Sequence, residues 1–142
     1  MIKKFENSLS MAKDIILIDD ESFRNISYTP ELLCEKIQKN INYEVYIYYE
    51  NSTPIGYVGI LFVNNLHYNG VWIDLIAVRE NYRNNVYGER LVTFVKNEIV
   101  KQNAEIITAL IKTDNKFSLA LFDKLGFKSE NTDYKLYIKS IT

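Results

Sequence analysis

One cysteine and one histidine are all that this 142-residue chain contains of either residue. Cys34 has no partner for an internal disulfide, and together with His67 it cannot assemble the common Cys/His zinc sites, so neither a disulfide framework nor a metal is expected. Proline occurs twice and glycine five times, which leaves few positions for rigid turns or close backbone approaches. Neither sign of charge dominates. Lys and Arg total 17 against 18 Asp and Glu, and a formal net charge of −1 gives no general attraction to nucleic acid or to an anionic membrane. Long apolar runs are missing too. Ile15-Ile16-Leu17-Ile18 is far short of a membrane span, and no signal-like apolar segment opens the chain. These absences lead to the expectation of a cytoplasmic protein with no nucleic-acid and no membrane partner.

What is present suits a globular domain. A 47% hydrophobic content with 25% charged residues supports one core, and no repeat, low-complexity tract or linker divides residues 1–142. Ile2 to Glu6 reads as a short strand. Ser8 to Glu21 reads as a helix with Leu9, Ala12 and Ile16 on one face, although the DIILI run within it would also suit a strand. Thr29-Pro30-Glu31 is a helix start, with Thr as N-cap and Pro where its missing N–H costs nothing, and Leu32, Leu33 and Ile37 then face inward.

Tyr43 to Glu50 and Ile55 to Val63 are rich in aromatic and β-branched residues and flank Asn51-Ser52-Thr53-Pro54, the pattern of a β-hairpin. A second turn at 64–70 leads into a strand that begins near Trp72 and ends at Ile76-Ala77-Val78. A helix from Val86 to Lys101 carries Leu91, Val92, Val95 and Ile99 on one stripe, and Glu105 to Ile111 follows as a strand. Strand, helix, strand at this spacing predicts a right-handed crossover between parallel neighbours. Asp114 or Asn115 caps a further helix with Phe117, Ala120, Leu121 and Leu125 inward, Gly126 stops it, and Phe127 with Asp133 to Lys139 supplies closing strands.

The stretch from Trp72 to Leu91 organises the rest. Between the strand end and the helix lies Arg83-Asn84-Asn85-Val86-Tyr87-Gly88. The first N–H groups of a helix lack partners within it, and the macrodipole adds partial positive charge, so this loop is suited to a phosphate.

With the order of elements in view, the chain resembles the GNAT superfamily of acyl-CoA-dependent N-acetyltransferases over nearly its whole length. The family's strand ending in a small apolar triplet, followed by Arg/Gln-x-x-Gly-x-Gly/Ala and a helix, reads here as Ile76-Ala77-Val78 and then Arg83 to Gly88. A second signature, Asn-x-x-Ala-x-x-x-Tyr-x-x-x-Gly-Phe, reads as Asn115, Ser118, Phe122, Gly126 and Phe127. The resemblance implies an α/β (α+β) fold, a mixed and mostly antiparallel central sheet of six to seven strands with about four helices. It also implies acetyl-CoA as cosubstrate, with the pantetheine arm along Ile76, Ala77 and Val78. The pyrophosphate would lie on the amides of Arg83, Asn84, Asn85, Val86, Tyr87, Gly88 and Glu89, and Asn115 and Phe122 would stand near the cofactor. Two positions depart from the pattern. Val86 replaces the first motif glycine, which places a β-branched side chain beside the phosphates and resists positive φ. Phe122 replaces the tyrosine that protonates the departing thiolate in many relatives.

The activity implied is transfer of an acetyl group to a primary amine of a small molecule or peptide, by direct attack in a ternary complex. The alternative is a degenerate domain that binds acyl-CoA or a protein partner without turnover. Asp74 is the leading candidate for the base, and a plain structural carboxylate is its alternative reading. The backbone N–H of Val78 would be the oxyanion donor. Ser118, one helical turn before Phe122, would hold a water near the sulfur, with Tyr87, Tyr134 and Tyr137 as looser candidates. His67 reads as a solvated loop residue, and Cys34 as a small buried hydrophobe. The acceptor would lie between the first two helices and the hairpin, where Phe23, Tyr28, Tyr46, Tyr48 and Tyr57 would suit a cationic molecule or would equally be core. A sheet edge could pair two copies in a homodimer, and the sequence decides nothing between that and a monomer.

Overall fold

The computed structural model describes residues 1–23, 27–130 and 132–142. In chain order its elements are β1 (Ile2–Lys4), α1 (Leu9–Ser22), α2 (Pro30–Lys39), β2 (Tyr43–Glu50), β3 (Thr53–Asn64) and β4 (Asn69–Val78). A single 3-10 turn (Glu80–Tyr82), α3 (Tyr87–Val100), β5 (Ile106–Ala109) and α4 (Lys116–Lys124) follow. Side chains at the expected places start three of the helices. Ser8 Oγ accepts the N–H of Met11 at 3.3 Å, Thr29 Oγ1 accepts that of Leu32 at 3.2 Å, and Asn115 Oδ1 accepts that of Ser118 at 3.2 Å. Each satisfies one of the amides that a helix leaves unpaired at its beginning. The DIILI run is helical, and Gly126 takes φ +84° just beyond α4, a left-handed conformation that suits glycine.

The five strands lie in the order β1-β2-β3-β4-β5. Neighbours are antiparallel except β4 and β5, which run parallel on either side of the α3 crossover. Alternation along the strands builds two cores. Val45, Ile47, Tyr57 and Ala77 pack with Ala12, Ile15, Ile18 and Cys34 of α1 and α2 on one face. Tyr46, Tyr48, Val58, Ile60, Val71 and Ile73 pack with Leu91, Val92, Val95 and Ile99 of α3 and Phe122 of α4 on the other. Side chains such as Ile60 and Leu91 are completely buried, and each contributes about 1.5–3 kcal/mol to stability relative to exposure.

Three expectations need correction. The sheet of the described residues has five strands, not six to seven. The segment Asp133 to Lys139 forms no strand, and every described residue from Lys128 to Thr142 is exposed. A period-2 pattern shows that a segment can pair, but a strand forms only where a partner edge meets it. On α4 the inward residues are Ser118, Leu121, Phe122 and Leu125, while Phe117 and Ala120 are exposed, and on α2 Leu32 is exposed beside the inward Leu33 and Ile37.

The central strand carries the feature that positions the site. β3 follows β4 as far as Gly56 opposite Val78, but β5 stops with Ala109 opposite Ile73. From Asp74 to Val78, β4 is therefore paired on one side only. A register shift at Gly59/Ile60 pairs Gly59 with Leu75 and Ile60 with Ile73, so Asp74 is the extra residue of a β-bulge. The bulge breaks the alternation, and Asp74 and Leu75 are both exposed. No helix among the described residues is long and apolar enough to cross a membrane.

Candidate functional site

The open edge of β4 offers alternate backbone groups. Arg79 N–H donates to Ile55 O at 2.9 Å, which fixes the phase of the antiparallel ladder. Ala77 accordingly bonds toward β3, whereas Ile76 and Val78 direct their N–H and C=O groups to the free side. Of the triplet Ile76-Ala77-Val78, then, only the first and last can pair with an incoming group. Val78 O is already taken, because Arg83 Nε donates to it at 2.8 Å. The Val78 N–H points into the gap that β5 leaves.

Arg83 also donates to Glu21 O at 2.8 Å and to Ser22 Oγ at 3.3 Å. Arg79 Nε pairs with Glu21 Oε2 at 2.7 Å. Two arginines thus hold the loop after β4 against the end of α1, and the Arg83 guanidinium is committed to the protein itself.

The loop then turns through Asn84 at φ +61°, a conformation asparagine tolerates better than most residues. Val86 sits at φ −76°, ψ −1° as the N-cap of α3 and makes no side-chain cap bond. The expected conflict between a β-branched residue and positive φ does not arise, because the left-handed turn lies two residues earlier. The first bond of the helix is Arg90 N–H to Val86 O at 2.9 Å. Among the described residues, the amides of Asn84, Asn85, Val86, Tyr87, Gly88 and Glu89 donate to no backbone or side-chain acceptor. Six consecutive free N–H groups at a helix start make a strong anion-binding surface.

Gly88 also makes room within the fold. A Cβ added there would meet Leu121 Cδ2 at 3.3 Å, so the missing side chain gives α4 room to lean on the first turn of α3. Lys124 of α4 pairs with Glu89 at 2.8 Å across the same contact. Exposed pairs of this kind add little stability, but this one holds the Glu89 carboxylate toward α4.

The remaining predicted residues divide. Ser118 is half-buried on the inner side of α4, and Asn115 is its N-cap. Phe122 is 5% exposed and stacks edge-on against Phe127 at 4.9 Å, so its ring belongs to the core. Tyr87 packs against Tyr48 and Tyr82, and the Glu50 carboxylate beside its hydroxyl raises its pKa. Tyr134 and Tyr137 lie on the exposed C-terminal segment, away from any element of the site. His67 is exposed in its turn and Cys34 is buried, as expected. Among the described residues no group of three or more His, Cys, Asp or Glu could hold a metal ion.

On the α1 and α2 face, Asp74 Oδ2 accepts from Tyr43 Oη at 3.0 Å. The Tyr43 ring lies over Gly59, where any Cβ would collide with its hydroxyl. Behind it, Asp19 is 3% exposed and accepts from Tyr57 Oη at 2.5 Å and from Tyr28 Oη. Burial, and then the neighbouring carboxylates, push the Tyr28, Tyr43 and Tyr57 hydroxyls well above the usual range. Tyr43 packs with Tyr57 in the core on this face, so the two tyrosine–carboxylate contacts lie on the same side of the sheet. Sequence reasoning missed Asp19, which reads as one of two solvated carboxylates near a helix end. Of the aromatic residues expected at an acceptor site, Tyr28 and Tyr57 are in these contacts. Tyr46 and Tyr48 pack on the opposite face against Phe94 and Tyr87.

Comparison with known proteins agrees with this architecture. A search of curated proteins returned no match. Among solved structures, an aminoglycoside acetyltransferase, meta-AAC0020, from an uncultured soil metagenomic sample in complex with sisomicin superposes with a TM-score of 0.87 at 14% identity, covering 99% of this chain and 95% of its own. AAC(6')-Iy in complex with the bisubstrate analog CoA-S-monomethyl-acetylneamine gives 0.80 at 14% identity, covering 99% and 97%. The ribosomal-protein-alanine N-acetyltransferase from Brucella melitensis biovar Abortus 2308 gives 0.79 at 10% identity, covering 98% and 99%. At these identities the likeness establishes the fold. The profile of the acetyltransferase (GNAT) family matches residues 12–127, and with the strand, loop and helix of the site inside that span, the chain belongs to this family.

Proposed function

We propose that the protein is an N-acetyltransferase that moves an acetyl group from acetyl-CoA to a primary amine on a cationic small molecule or peptide. The observation that carries this reading is the run of six free amides from Asn84 to Glu89 beside the unpaired edge of β4. The diphosphate fits the amides, the pantetheine amides fit the outward groups of Ile76, and the Val78 N–H is left for the thioester. Asn115, as the cap of α4, stands at the same end of that helix as Ser118 and bounds the cofactor side.

Acetyl-CoA supplies an activated acetyl thioester. The Val78 N–H donates to the thioester oxygen as negative charge develops there, a contribution that only proline at this position would remove. A lysine-like amine with pKa ~10.4 is mostly protonated at neutral pH, so a base is needed. Asp74 first takes the ammonium proton, directly or through a water, and loses it to solvent; the freed nitrogen lone pair attacks the carbonyl carbon, and the amine's second proton passes to the water beside the sulfur as the carbon–sulfur bond breaks. Ser118 holds a water that returns a proton to the departing thiolate. A thiol with pKa near ~8.5 leaves without a strong acid, so the buried Phe122 does not forbid turnover.

The acceptor lies against Tyr43, Asp74 and Tyr28, with the buried carboxylate of Asp19 behind them. Negative charge and aromatic faces together favour a molecule with several cationic groups. Aminoglycosides, for which the sisomicin-bound structural neighbour is named, have this chemistry.

The test is calorimetric titration with acetyl-CoA followed by an acetyl-transfer assay over polycationic and monocationic amines. Saturable binding with transfer favouring polycations is expected. Binding with no transfer to any amine would mark an acyl-CoA-binding module, the reading that Phe122 alone favours. No binding would remove both.

A further inference from the structure

Tyr43, Gly59 and Asp74 stand on three adjacent strands and on one face of the sheet. Val45 and Ile47 of β2 and Tyr57 of β3 pack on the α1 and α2 side, and period-2 alternation puts Tyr43 and Gly59 there with them. On β4, Val71 and Ile73 before the bulge and Ile76 and Val78 after it all pack on the α3 side. The bulge therefore shifts the alternation by one residue, and Asp74 and Leu75 both face α1 and α2.

β3 lies between the other two strands, so a tyrosine on β2 reaches a carboxylate on β4 only by crossing it, a span of about 10 Å at the usual strand spacing. Val45 is directly opposite Gly59, and Tyr43 is the diagonal neighbour of that glycine. A Cβ added at Gly59 would collide with the Tyr43 hydroxyl and lie 2.9 Å from the ring carbon that bears it. Gly59 is thus a window in the middle strand, and the phenol lies through it to donate to Asp74 Oδ2 at 3.0 Å. Two departures from a regular sheet, a glycine inside a central strand and a bulge opposite it, meet at this one hydrogen bond. Neither strengthens the sheet, because glycine weakens a strand and a bulge interrupts its ladder. A phenylalanine would fill the same window, so packing leaves the hydroxyl unexplained.

We infer that Tyr43 is the positioning residue for the Asp74 carboxylate, and that residue 59 is glycine in order to admit it. The inference rests on the reading of Asp74 as the base. The hydroxyl occupies Oδ2 and fixes the rotation of the carboxylate, and Oδ1, which accepts no hydrogen bond among the described residues, is left for the ammonium group. Burial, and then the charge of Asp74, hold the Tyr43 hydroxyl above its ordinary pKa, so it stays a donor through and beyond neutral pH.

The test is a set of double-mutant cycles on transfer from acetyl-CoA, with sisomicin as the amine, or spermine where sisomicin is not accepted. Tyr43→Phe should lower kcat by about tenfold, the scale of one hydrogen bond to a charged group, and leave the KM for acetyl-CoA unchanged. Gly59→Ala, which drives the hydroxyl off the carboxylate, should act alike, and the double variant should be no slower than Gly59→Ala alone. In an Asp74→Asn background each substitution should change kcat by less than about twofold. A residue that only supports the fold would lower kcat by the same factor in either background, and that result would overturn the inference. So would a Tyr43→Phe protein with wild-type kcat, a reading that stands even where Gly59→Ala does not fold. A wild-type rate in Asp74→Asn would instead remove Asp74 as the base, and turnover of neither amine by the wild-type chain would remove the proposed activity; either result takes the inference with it.

Discussion

Arg83 Nε donates to Val78 O at 2.8 Å, so the residue that opens the anion loop is bonded to the residue that ends the central strand. The same guanidinium reaches Glu21 O and Ser22 Oγ on α1. This three-way tie fixes where the free amides stand relative to the Val78 N–H.

Arg83→Ala should therefore weaken acetyl-CoA binding although its guanidinium is not free to hold a phosphate. A decrease of about tenfold is expected, the scale of losing roughly 1.4 kcal/mol of loop ordering. Arg83→Lys should rescue little, because an ammonium cannot reproduce a planar fork spanning two elements. Calorimetry on the three proteins checks both.

Asp74→Asn should lower kcat by about 10² to 10⁴ and leave acetyl-CoA affinity unchanged, the range for losing a general base. Tyr43→Phe should cost less, since it removes one hydrogen bond to the carboxylate and not the carboxylate. Steady-state kinetics across pH would separate the two, with the Asp74→Asn variant recovering activity as rising pH deprotonates the amine in solution.

Phe122→Ala should destabilise the fold by about 3–5 kcal/mol, as expected for a buried aromatic whose cavity cannot fully collapse. Its edge-on contact with Phe127 lies where α4 meets the core. Urea denaturation of wild type and variant measures the difference.

The tyrosine cluster sets the alkaline limit of stability. Tyr28, Tyr43 and Tyr57 have folded pKa values raised above the ordinary ~10, so above that pH the unfolded chain releases protons that the folded chain keeps. Their stabilisation is complete below about pH 10 and is lost as pH climbs toward the folded values. Melting temperature should fall steeply beyond that point, and tyrosinate absorbance from these residues should appear only as the fold opens. Tyr57→Phe should flatten the alkaline fall, while costing about 1–3 kcal/mol at neutral pH because Asp19 loses a donor in a buried site.

Local physics made most of the fold legible. Thr29-Pro30, Asn115 and Gly126 announced helix boundaries because capping depends on residues within one turn, and the hairpin and crossover followed from alternation and spacing. The segment from Asp133 to Lys139 has the pattern of a strand yet pairs with none among the described residues, because the identity of a strand's partner is not local. At the site, the loop and the open end of β4 were readable from the motif. The relief of Val86 by a turn at Asn84 was not, since the motif gives residue types and not dihedral angles. Asp19 was invisible because nothing in a pair of neighbouring carboxylates tells which one the fold will bury under two tyrosines.

The central claim is that the amides from Asn84 to Glu89 hold a diphosphate while Ile76 receives the pantetheine and the Val78 N–H its thioester. Amide NMR spectra recorded during titration with coenzyme A test it most directly. The account predicts that the largest shifts fall on residues 84–89, with Ile76 and Val78 next and the α1 and α2 amides nearly still. Shifts that leave 84–89 unmoved, or that gather on another surface, would contradict it.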